Sequence, residues 1–81
     1  MTRTEYLDLI TDRLNELRDE MIALRGNLDA LYDEEDDTSA ASDLVHIDLP
    51  LKDALKLVDD SLTFARMAAR SAAVRAAKEA A

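Results

Sequence analysis

The sequence has no cysteine and no tryptophan, and only one glycine, one proline and one histidine. Without cysteine the chain forms no disulfide and offers no thiolate to a metal, two supports on which small domains often rely. With glycine and proline confined to Gly26 and Pro50, it lacks the turn residues that an all-β fold requires at each hairpin. No apolar run approaches the ~20 residues needed to cross a bilayer. The first residues, MTRTEYLDL, carry acids and no continuous apolar core, so they do not read as a signal peptide. These absences place the chain, as an expectation, in the cytoplasm. Positive charge is also scarce: ten Lys and Arg stand against eighteen Asp and Glu, a net charge of −8 at pH 7. Such a body repels phosphate backbones and anionic lipid and suits a basic protein partner.

What the sequence does have is hydrophobic content, at 48% of 81 residues. That is enough for a packed core in a single domain, yet the length lies near the lower limit for burying one unaided. A partner subunit is then the expected source of further stability.

The hydrophobic residues are patterned. From residue 7 to residue 31 the large aliphatics are Leu7, Ile10, Leu14, Leu17, Met21, Leu24, Leu28 and Leu31, separated by alternating steps of three and four. That spacing predicts a helix over about 3–33 with a coiled-coil seam. Thr2 and Glu5 form a capping-box pair at its start. A second seam of the same spacing runs through Leu51, Leu55, Val58, Leu62, Ala65, Ala69, Ala72 and Ala76, and predicts a helix over about 49–78 with Pro50 in its first turn. Residues 34–48 between them read as an acidic, small-residue linker in which Ser39 or Ser42 caps a short turn. Two helices of matched length predict an antiparallel hairpin. A register that brings Glu16 to Arg66, Asp12 to Arg70, Asp29 to Lys52 and Arg25 to Asp59 gives four opposite-charge pairings.

The second helix carries more apolar surface than one neighbour covers. Ala54, Leu57, Phe64, Met67 and Ala68 form a stripe beside the seam, and Val74 widens it. The expected fold is therefore all-α: an antiparallel two-helix hairpin with coiled-coil-like packing that dimerises into a four-helix bundle.

Sites for chemistry are poorly supplied. Asp33, Glu34, Glu35, Asp36 and Asp37 alternate suitably for a calcium loop, but the pattern then demands Gly at Thr38 and Glu at Leu44. A solvated acidic surface open to a partner is the better reading. His46 lacks the Glu-x-x-His context of a di-metal bundle and has no cysteine beside it, so no metal or cofactor is expected. Ser39, Ser42, Ser61 and Ser71 have only His46 as a conceivable imidazole base. The many carboxylates fall on faces that should meet water, where the desolvation that raises a general acid's pKa is missing. Neither a phosphate loop nor a basic stripe is present: Arg66 and Arg70 share a face, whereas Arg75 and Lys78 point elsewhere. The second helix's small residues and single Phe64 do not suit a membrane surface. The reading is a non-catalytic oligomerisation and interaction module that binds itself, with a basic protein as the further partner its acidic surfaces suit. One alternative is an acidic inhibitor that imitates nucleic acid, and another is an assembly or scaffolding subunit.

Overall fold

In the computed structural model, which describes residues 1–80, two helices form an antiparallel hairpin: α1 over Arg3–Glu34 and α2 over Thr38–Ala80. There is no strand among the described residues. The molecule measures 65 × 15 × 15 Å, and the long dimension is that of the 43-residue α2 at ~1.5 Å per residue. Among the described residues no helix is long and apolar enough to cross a membrane.

Each helix starts at a side-chain cap. The Thr2 hydroxyl accepts from the Glu5 amide at 3.1 Å and donates to the Glu5 carboxylate at 3.2 Å. Glu5 thus reaches back to the cap's hydroxyl, where a full capping box would use the cap's amide. The connection is only residues 35–37. Asp37 ends it, with its carboxylate accepting from the amides of Ser39 at 2.8 Å and Ala40 at 3.4 Å, while its carbonyl receives the first helical bond from Ala41. Asp37 is therefore the N-cap of α2, in the place expected of Ser39 or Ser42.

The expected linker over 34–48 is corrected here. Thr38 to Asp48 is already helix, Pro50 lies inside α2, and the two helices differ in length, at 32 and 43 residues. An interior proline removes one backbone bond and typically costs ~3 kcal/mol. Packing on its N-terminal side offsets that loss, because Ala41, Leu44 and Asp48 are half-buried against α1 and continue the spacing of Leu51 and Leu55.

The inward stripe of α2 runs through the half-buried Leu51, Leu55, Val58, Ala65 and Ala69 and the buried Leu62 and Ala72. On α1 the stripe is Leu7, Leu14, Met21 and Leu28, accompanied by Thr4, Thr11, Arg18 and Arg25. Ile10, Leu17, Leu24 and Leu31, expected in the intrachain seam, are instead 43–48% exposed. The physical reason is that a seven-residue spacing identifies rows on a helix but not the neighbour each row meets. The Leu7 row is a corner, and either flank could turn towards α2. The arginine flank does so, because α2 offers it carboxylates.

Candidate functional site

The polar side of the hairpin is fixed by three cross-helix contacts. Arg18 donates through Nε to Asp59, and Arg25 donates from Nε and Nη2 to both carboxylate oxygens of Asp48 at 2.9 and 3.1 Å. Arg66 donates to the Asn15 side-chain oxygen at 3.1 Å. The hydrogen bond from Arg25 holds the Asp48 carboxyl below the usual carboxylate range, and Asp48 in turn raises the Arg25 guanidinium. The arginine stems lie along the seam while their charged ends reach outward, as long cationic side chains commonly do. None of the four charge pairings expected from sequence occurs among the described ion pairs. Asp59 meets Arg18, one heptad before the expected Arg25, because the short connection closes the hairpin in a different register.

These contacts also identify the opposite side. Across the surface of α1 the rows follow in the order Leu17, Leu14, Arg18, Asn15; across α2 they follow as Ser61, Val58, Leu62, Asp59. The Arg18 and Asn15 rows bond to the Leu62-side and Asp59 rows. The rows at the other edge, those of Leu17 and Ser61, therefore flank the seam together on the second side. That side carries Ile10, Leu17, Leu24 and Leu31 from α1. From α2 it carries the half-buried Ala54, exposed Ser61 and Ala68, and, farther round, Leu57 at 65% and Phe64 at 68% exposure. Met67 and Val74 are exposed on the back of α2. Scattered exposed leucines are ordinary on a protein surface, whereas a contiguous apolar face at heptad spacing marks an interaction site.

Of the stripe expected to meet another copy, Leu57, Phe64, Met67 and Ala68 are open to solvent and Ala54 is partly covered by α1. Met67, expected with Leu57, Phe64 and Ala68, lies on the back of α2, whereas the row of Ile10, Leu17, Leu24 and Leu31 shares the face of those three. Sequence reasoning assigned it elsewhere, although its signal was visible: the polar residues Thr4, Thr11, Arg18 and Arg25 repeat beside the Leu7 row at the same spacing.

The remaining candidates hold little. Asp33, Glu34, Asp36 and Asp37 are exposed around the connection and Glu35 is half-buried. Within this cluster the Glu35 carboxylate accepts from the Asp37 amide at 3.1 Å, and Asp37 caps α2. No group of three or more metal-ligating side chains is gathered among the described residues. His46 is exposed on α2. A shallow cleft of about 170 Å³ lies near the connection between Leu28, Asp29, Tyr32, Leu44, Val45 and Asp48. It presents the carboxylates of Asp29 and of Asp48, the latter already engaged by Arg25, and no serine, threonine, cysteine, lysine or histidine. Comparison with protein-family models, curated proteins and solved structures finds no match.

Proposed function

We propose that this chain is a non-catalytic self-association module, a homodimeric helical bundle that presents acidic surfaces to a partner. The observation that carries the reading is surface area. A folded monomer of 9.0 kDa is expected to expose about 4,900 Å², whereas this hairpin exposes 6189 Å². The excess, roughly 1,300 Å² per copy, would make an interface of about 2,600 Å² between two copies, within the range of obligate dimers. Among the described residues only Met21, Leu62 and Ala72 are buried in the single chain, a core too small to order so many residues against their conformational entropy.

Charge supports the second half of the proposal. Residues 17–61 hold thirteen of the eighteen acids but four of the ten bases, so the connection half of the hairpin is strongly acidic and the open half is nearly neutral. A basic protein surface is the complementary partner, and its binding would weaken as salt rises.

Thermal unfolding at a series of protein concentrations tests the self-association. A folded state that exists as a dimer gives a midpoint that rises with concentration. A midpoint independent of concentration contradicts it.

A further inference from the structure

We propose that the apolar face docks on a second copy of this chain in antiparallel fashion, about a two-fold axis passing between Leu17 and Ser61. The inference rests on the self-association reading above and gives it a face, a polarity and a register.

The register within the hairpin supplies the starting point. Arg18 on α1 meets Asp59 on α2, and the chains run in opposite directions. One residue back along α1 and two forward along α2 brings Leu17 level with Ser61 to within one residue, ~1.5 Å. Heptad steps from there set Ile10 level with Ala68 and Leu24 level with Ala54. An axis perpendicular to the helices at the Leu17–Ser61 level lays each helix on its own counterpart, reversed. Leu17 then meets the partner's Leu17, and Ile10 meets the partner's Leu24. On α2, Ser61 meets the partner's Ser61 and Ala54 meets the partner's Ala68, so small residues allow a close approach of the α2 pair.

The rims fit the same axis without adjustment. Leu57 and Phe64, the most exposed large apolar side chains of this face, come opposite each other reciprocally. Arg13 and Glu20 do likewise on the outer edge of α1, giving opposite charges twice. The axis lies near the middle of α2, so the hairpins overlap along nearly their whole length, as the roughly 1,300 Å² of excess surface per copy requires.

A same-direction dimer, with its axis along the bundle, would stack α1 on the partner's α2. It would set Leu57 against Glu20 and superpose the two acidic halves, which hold thirteen of eighteen acids each. The antiparallel arrangement places each acidic half over the other copy's nearly neutral half. Like-charge juxtaposition thus selects the polarity, and apolar burial supplies the affinity.

Cysteine placement tests this directly, because the chain has none of its own. Ser61→Cys sits on the axis, so under a mild thiol–disulfide buffer most of the protein is expected to migrate at twice the chain mass. Ala54→Cys alone stays unlinked, since its counterpart lies about 21 Å along the bundle, well beyond the Cα separation a disulfide spans. A mixture of Ala54→Cys and Ala68→Cys chains links. The proposal is overturned if Ser61→Cys fails to link with itself while a mixture of Leu17→Cys and Ser61→Cys chains does. It is overturned equally if Ala23→Cys, on the outward side of α1, links as completely as Ser61→Cys. Molar mass of the unmodified chain separates the two layers of the reading. A single-chain mass of 9.0 kDa removes the self-association itself, whereas a doubled mass with unlinked Ser61→Cys removes only this axis.

Discussion

Ile22 and Leu24 stand two residues apart on α1 and are almost equally exposed, at 43% and 47%, yet they look out from opposite sides of the hairpin. Ile22 shares its row with Asn15, on the side where Arg18, Arg25 and Arg66 bond across the two helices. Leu24 belongs to the row of Ile10, Leu17 and Leu31, beside Leu57 and Phe64. The first side is bonded across the two helices at three places, and its exposed apolar residues, Ile22 and Val45, are not repeated along their rows. The second side repeats large apolar side chains at heptad spacing with nothing over them. Fractional exposure alone does not separate the two residues. Their neighbours do, and substitution can test the distinction.

The largest effect belongs to the seam that both sides share. Leu62 is 2% exposed, and Leu62→Ala should cost about 2–5 kcal/mol, from lost burial and the cavity left behind. Denaturant titration would show the midpoint falling sharply, and a loss below 1 kcal/mol would mean that Leu62 is not central to packing. Next comes the comparison itself. Leu24→Asp should abolish self-association, because it buries an unpaired carboxylate in the proposed interface, while Ile22→Asp should leave the molar mass unchanged. Equal effects of the two substitutions would erase the difference between the faces. Leu24 is 47% exposed in the single chain, so the cost of Leu24→Asp falls on docking, and the hairpin loses helix only because it has lost the second copy that its small core needs.

Smaller effects sharpen the picture on each helix. Gly26 lies within α1, and a Cβ added there meets nothing within 4 Å. Gly26→Ala should therefore raise stability by ~1 kcal/mol through helix propensity, without changing the mass. A destabilised Gly26→Ala chain would indicate that this exposed position is covered in the assembly. The smallest effect concerns the polar side. Asp48 has its carboxyl held below the usual range, chiefly by the hydrogen bond from Arg25. A depressed carboxyl stabilises the fold above the unfolded-state pKa of ~3.9, and that contribution is lost as pH falls below it towards the folded value. Asp48→Asn should flatten the acid limb of the stability profile below about pH 4 and alter it little near neutrality. An unchanged acid limb would show that the pair contributes nothing there.

Much of the fold was legible in the sequence because heptad spacing survives any choice of neighbour. The α2 stripe from Leu51 to Ala72 and the Leu7 row were readable from their steps of three and four. The direction in which α1 turns its second row was not. Leu17 and Arg18 are adjacent in sequence and flank the same corner, and only the carboxylates of Asp48 and Asp59, placed by the register, decide between them. The connection was hidden for a different reason. A charge run followed by small residues and a proline reads as irregular chain, yet Asp37 caps a helix there and Leu44 and Asp48 give it a packed side. Pro50 marked an interior position that packing tolerates. As for the candidate site, its α2 portion was visible as surplus apolar circumference, and its α1 portion was visible as residues but assigned to the wrong neighbour.

The central claim is that the apolar side of the hairpin is covered by a second copy of the chain. Molar mass by light scattering, measured across micromolar concentrations, addresses it most directly. The account requires twice the chain mass of 9.0 kDa with full helical content. A helical, cooperatively folded species at the single-chain mass throughout that range would contradict it.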